Sequence, residues 1–222
     1  SWRLAKPSGN TFSITLNKLE DGDYPLIARA FDSAGNIGQS DTQTLIIDTI
    51  PPIIGGGMQS LGPQILTPDK NGTISIVAGA QTIIAMSMKG GVTEAEIQTD
   101  DGVFKLSSQP DTNIWVGKVK FENQGEKSLT ISAIDGANNK TERPFNTLRI
   151  EQFGVVEEKE NKKTIKNAQV SLYYFEEVVQ QWILWEGKSY GQQNPQKTQE
   201  KGSYSFMVPA GKYYVEVNAP GY

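Results

Sequence analysis

The sequence predicts an all-β chain built of small β-sandwiches in series, and three observations carry that expectation. Most of the stretch from Leu26 to Pro52 recurs farther along, apolar residues alternate with a period of two, and turn signals break the chain at short intervals. The 222 residues include 22 Gly and 11 Pro, with many Val, Ile, Thr and Tyr and no sustained helical spacing, which fits short strands joined by tight turns.

The repeat fixes the domain plan. Asp32 and Asp135, 103 residues apart, each sit in an Ala-x-Asp-x-Ala-x-Asn frame: Ala30, Asp32, Ala34 and Asn36, then Ala133, Asp135, Ala137 and Asn139. Without gaps, Gly22 and Leu26 fall on Gly125 and Leu129, and Thr44, Leu45 and Ile47 on Thr147, Leu148 and Ile150. Only about half a period precedes Pro51, so residues 1–51 are expected to be the C-terminal half of one sandwich, in a piece of a longer chain. Residues 52–152 span a full period and are expected to fold as a complete seven-stranded sandwich.

Within the first copy, Phe12, Ile14 and Leu16 alternate as a strand, with Trp2 expected to pack beneath it. Asp21-Gly22 then turns the chain into the strand of Tyr24, Leu26, Ala28 and Ala30, which places Tyr24 as a tyrosine corner; Tyr213 is assigned the same corner role in the last stretch. Asp32 ends that strand with a carboxylate able to cap backbone N–H groups, and Gly35 and Asn36 tolerate the positive φ of a reversal. Asp135 and Asn139 hold the corresponding turn places in copy two. Asp48-Thr49-Ile50-Pro51-Pro52 closes the copy as a stiff spacer. Ile50, Ile53 and Ile54 are expected to pack on the neighbouring sandwich. These residues resemble the final strands of bacterial immunoglobulin-like domains of the fibronectin type III-like kind, in which the Asp-x-Ala-Gly-Asn turn and an Asp-Thr-x-Pro-Pro junction are frequent. The resemblance implies tandem modules of a surface protein. Copy two departs from it with Lys127 in place of Tyr24, Asn138 in place of Gly35, and Phe153-Gly154 at the junction.

Between the copies, alternation marks strands at Ile74 to Val77, Thr82 to Met88, Val92 to Gln98 and Val103 to Leu106. Asp101-Gly102 reads as a hairpin turn and Asn71-Gly72 as a second turn. At the second junction Ile150, Phe153, Val155 and Val156 form an apolar passage, with Phe153 expected to wedge between modules.

From residue 153 the pattern changes. The charged run Glu157 to Lys163 reads as a hairpin tip between Val155-Val156 and a strand from Ile165 to Leu172. Asn194-Pro195-Gln196-x-Thr198, Gly202-x-Tyr204-x-Phe206, Val208-Pro209-Ala210-Gly211-x-Tyr213-x-Val215-x-Val217 and Ala219-Pro220-Gly221-Tyr222 resemble the carboxypeptidase regulatory-like domain. That resemblance implies a small transthyretin-like β-sandwich over residues 153–222, continuing past its Pro-Gly-Tyr, with no peptidase activity. Some surface domains similar to it carry a Lys–Asn cross-link made by an inward Glu; here Val217 takes the inward place and Glu216 the outward one, so no cross-link is expected.

Function classes narrow accordingly. With no His and no Cys, acid–base and nucleophilic sites lose their usual residues, and no enzyme is expected. A net charge of −4 without a basic stripe argues against nucleic acid, and no apolar run is long enough to span a membrane. No resident cofactor is expected, although Asp21, Asp23, Asp32 and Asp48 could offer loop oxygens to a calcium ion, with turn capping as their competing use. Trp182, Trp185 and Tyr190 could form an aromatic platform for a glycan, with core packing as the competing use. The expectation is an extracellular or cell-surface stalk whose partners are neighbouring domains or other copies of the chain. The alternatives are an adhesin segment binding a surface glycan or protein, or accessory domains of a secreted hydrolase.

Overall fold

A computed structural model describes residues 2–219 and 221. Strand makes up 54% of the chain and helix 2%, so the fold is all-β, with antiparallel sheets of sandwich type. In the first stretch β1 (Lys6–Ser8) and β2 (Thr11–Ser13) form a hairpin, β3 (Gly22–Leu26) pairs β6 (Gln43–Ile47), and β4 (Arg29–Phe31) pairs β5 (Ile37–Gln39).

The next ten strands make two five-stranded sheets. They are β7 (Ile53–Leu61), β8 (Gln64–Leu66), β9 (Thr73–Val77), β10 (Gln81–Lys89), β11 (Val92–Thr99), β12 (Gly102–Lys105), β13 (Ser107–Ser108), β14 (Ile114–Lys120), β15 (Gly125–Asp135) and β16 (Lys140–Glu151). One sheet runs β13-β14-β10-β7-β8 and the other β12-β11-β15-β16-β9, with β9 parallel to β16. Between them lies a core that includes Ile84, Met88 and Val119 from one sheet and Ile97, Leu129, Ile131 and Leu148 from the other. Ten strands replace the expected seven. Gly55-Gly56-Gly57 interrupts the alternation that would have announced β7, and β8 and β13 are edge strands too short to show a period.

The repeat is reproduced in hydrogen-bond register. Gly22 pairs Ile47, Leu26 pairs Gln43 and Arg29 pairs Gln39, while Gly125 pairs Ile150, Leu129 pairs Asn146 and Ser132 pairs Glu142. Thus β15 is β3 and β4 run together, and β16 is β5 and β6. Even the irregularity recurs: copy one breaks between Leu26 and Arg29, and copy two shifts register between Leu129 and Thr130. Burial separates the copies. Leu129 is 1% exposed and its counterpart Leu26 40%, because the sheet containing β7, β10 and β14 covers the second copy's inner face. In the first copy, the face bearing Leu26, Ala28 and Ala30 is open.

Two packing expectations are corrected here. Trp2 lies on the surface, with the Arg29 guanidinium 4.1 Å above its ring, since among the described residues no second sheet covers it. Ile50 and Ile53 are exposed and only Ile54 enters the core, because alternation along β7 turns Ile53 outward.

In the last stretch β17 (Gly154–Val155) pairs β21 (Ser203–Tyr204). A second sheet centres on β18 (Gln169–Glu176), which pairs β19 (Gln181–Leu184), β20 (Gln196–Lys197) and β22 (Tyr213–Asn218). The charged run is a turn closed by the Glu157–Thr164 bridge. The strand after it starts at Gln169 rather than Ile165, since Asn167 and Ala168 exchange backbone bonds with Thr198 instead. Pro220 and Tyr222 of the terminal motif lie outside the described residues.

Candidate functional site

The features that could serve function are two module junctions and one exposed face. The first junction is built on the second of the two Asp-x-Ala-x-Asn loops, and both loops share one internal design. Asp32 Oδ1 accepts the N–H groups of Ala34 and Asn36, each at 2.9 Å, and Oδ2 accepts from Asn36 Nδ2 at 2.7 Å. Asp135 repeats all three bonds with Ala137 and Asn139, at 2.9, 2.9 and 3.0 Å. Gly35 has φ 86° and Asn138 φ 66°, so an Asn supplies in copy two the left-handed residue that Gly supplies in copy one. The Asn36 side-chain amide, then the loop's backbone N–H groups, hold the Asp32 carboxyl below its ordinary range. At Asp135 burial works upward, but the Asn139 amide and the loop N–H groups outweigh it and the net direction is again down.

Asn139 has a second bond that the sequence did not announce. Its Nδ2 also donates to the main-chain carbonyl of Asp48 at 3.0 Å, across 91 residues of sequence. The Asp48 segment is shaped from its own side: Asp21 Oδ1 accepts from Thr49 N and Oγ1, at 3.1 and 2.9 Å, and Asp48 Oδ1 accepts from Ile50 N at 3.0 Å. Asp32 uses both carboxylate oxygens within its own loop, Asp21 uses both on Thr49, and Asp48 uses Oδ1 on Ile50 N; no group of three or more acidic, His or Cys residues converges among the described residues. Asp23 sits in β3 with Ile46 opposite it.

At the corners, the Tyr24 hydroxyl donates to the Glu20 carbonyl at 2.9 Å, while Lys127 in copy two reaches Asp101 at 2.8 Å and Asp100 at 3.2 Å in the β11–β12 turn. Those carboxylates, Asp101 first, raise the Lys127 pKa. Tyr213 forms no such corner: its hydroxyl has no hydrogen-bond partner among the described residues, because the ring folds onto Gly211, and burial raises its pKa.

The second junction is backbone against backbone. Gln81 N–H donates to the Gly191 carbonyl at 2.9 Å, and a Cβ on Gly191 would collide with the Gln81 carbonyl oxygen. Gly62 approaches the Ser189 carbonyl just as closely from the other side. Tyr190 and Met207 pack against the core of the five-stranded sheets. The Gln192 amide bonds both N–H and C=O of Met207, and the Gln196 amide does the same to Ser205, so two side chains act as strand segments that brace the contact. Phe153 is not the wedge: it is 69% exposed, its N–H donates to Ser205 Oγ, and Tyr190 fills the place expected for it.

The aromatic platform is also reassigned. Trp185 is 5% exposed and lies 5.3 Å from Tyr190 and 6.2 Å from Phe206 in the interior. Trp182 is 46% exposed on the opposite face, 5.1 Å from Phe175 and 4.8 Å from Tyr214, which stacks on Tyr173 at 4.9 Å. The odd spacing of three puts the two rings on opposite faces under period-two alternation, so one turns to the surface and the other to the interior. Tyr173 and Phe175 were legible as one face, since same-face residues recur every second position, while Tyr214 joins them only through the β18–β22 register. The neighbouring Glu216 carboxylate, then burial, raise the Tyr173 pKa.

No helix among the described residues is long and apolar enough to cross a membrane. A scan of protein-family models finds no match to the chain, and a search of curated proteins finds none either.

Proposed function

We propose that the chain is a non-catalytic spacer of an extracellular or cell-surface protein, in which immunoglobulin-like sandwiches and a carboxypeptidase regulatory-like sandwich stand in a fixed relation. The observation that carries the reading is that both junctions are held through main-chain carbonyls, Asp48 to Asn139 and Gly191 to Gln81, rather than left to free linkers. Bonds to the main chain tolerate side-chain change and still fix orientation, which is what a spacer needs. The chain has no Cys, so pairs of introduced cysteines can carry spin labels without background. One label in residues 1–50 and one in 53–151, then one in 53–151 and one in 169–218, should each give a single narrow distance distribution in the intact chain. Broad distributions across both junctions would refute the spacer.

A second reading is favoured by the contiguous rings of Phe175, Trp182, Tyr214 and Tyr173, which suit the apolar face of a sugar on a surface glycan. Titration of neutral oligosaccharides should then perturb Trp182 fluorescence in a way that Trp182→Ala abolishes. Unchanged spectra at saturating sugar would leave the rings as surface packing only.

A further inference from the structure

The two Asp-x-Ala-x-Asn loops are alike in every internal bond, yet only one has its outward bond. Asn139 gives one amide hydrogen to Asp135 and the other to the Asp48 carbonyl. Asn36 gives one to Asp32, and its Nδ2 has no second acceptor among the described residues. The matching half of the contact is also copied unevenly. Module one carries Asp21, Asp48 and Thr49, which present the carbonyl; at the corresponding places module two carries Gln124, Glu151 and Gln152. Its Gln152 lies in the second junction, where contact is made by Gln81, Gly191 and Ser205 instead.

We infer that the Asp32–Asn36 loop is an open receptor for the exit turn of another module of the same kind, lying before it in the same polypeptide, with Asn36 Nδ2 donating to that turn's main-chain carbonyl. The inference rests on the spacer reading and adds a pairing rule to it. A module whose exit carries the Asp21, Asp48 and Thr49 set fits a following module that offers the Asp-x-Ala-x-Asn loop. Module two offers the loop but not the exit, so the pattern runs toward the C-terminus only as far as the second junction. The occupant is identified by its chemistry: an extended, proline-stiffened segment with an outward carbonyl just before Thr-x-Pro. An anion is the wrong ligand because the Asp32 carboxylate lies against the same amide.

The test uses the intact, isotope-labelled chain and a synthetic peptide with the sequence of Gln43–Pro52 as probe, with the side-chain amide resonances of Asn36 and Asn139 as readout. A contact that operates within one chain at an effective concentration on the order of millimolar calls for a probe at comparable concentration. The Asn36 amide pair should shift saturably, the Asn139 pair should stay put because its acceptor is in place, and Asn36→Ala should abolish the loop response while leaving the rest of the spectrum folded. The inference falls if the Asn36 pair does not shift, or if the backbone amides of residues 32–36 respond to the peptide equally in Asn36→Ala, which would place the peptide on the open face of β3 and β6. Failure here with narrow spin-label distances would remove the receptor and leave the spacer intact. Broad distances would remove the spacer itself.

Discussion

Gly191→Ala tests whether the second junction is a real mechanical contact. Gly191 has φ 63°, so alanine there incurs about 1–2 kcal/mol for the left-handed backbone alone. The added Cβ also meets the Gln81 carbonyl, a backbone atom that yields only if the interface opens. Opening would break the 2.9 Å bond from Gln81 to Gly191, about 0.5–1.5 kcal/mol, and loosen the packing of Tyr190 and Met207. Gly72 is the control, since its φ is 78° with nothing within 4 Å of an added methyl, so Gly72→Ala feels the backbone cost without the collision. In urea unfolding followed by circular dichroism, Gly191→Ala should lose about 1–3 kcal/mol more than Gly72→Ala, and its single transition should split as the modules uncouple. Equal losses in the two variants would show that the contact contributes nothing and refute the reasoning.

Other outcomes follow from the same geometry. Leu148→Ala should cost about 2–5 kcal/mol, because Leu148 is fully buried, whereas Leu45→Ala at the same place in copy one, where the side chain is only half-buried, should cost less, about 1–2 kcal/mol, both read from urea midpoints. Asp135 has a folded-state pKa below its unfolded value, so its contribution is complete above the unfolded carboxylate range near pH 4 and is lost as pH falls through the folded value. Wild-type midpoints should therefore drop more steeply on acidification than those of Asp135→Asn. Lys127 has the opposite sign: its folded pKa is raised, so the gap between wild type and Lys127→Gln should hold through neutral pH and close as pH rises through that value, and added salt should narrow it.

The sequence by itself determined the fold class, the repeat and the turn chemistry. Period-two alternation and the 103-residue offset are local or internal properties, and each survives translation into register: Gly22 pairs Ile47 as Gly125 pairs Ile150. The capping by Asp32 and Asp135 was legible because a carboxylate two to four residues from its donors needs no distant partner.

Only the tertiary structure decided what meets what between modules. Asn139 finds Asp48 across 91 residues, and Gly62 finds Ser189 across a junction that no spacing rule describes. Phe153 and Tyr190 are both large and apolar enough to wedge a junction, and the choice between them depended on where β16 ended relative to the 3₁₀ turn at Gly187–Tyr190. Trp182 and Trp185 stand on opposite faces by their spacing of three, but which face is the interior was decided by the packing of Tyr190 and Phe206 on Trp185. Alternation determines a face only while the strand lasts, and contacts between modules depend on their packing rather than on sequence spacing, so these residues acquire their roles from the assembled chain.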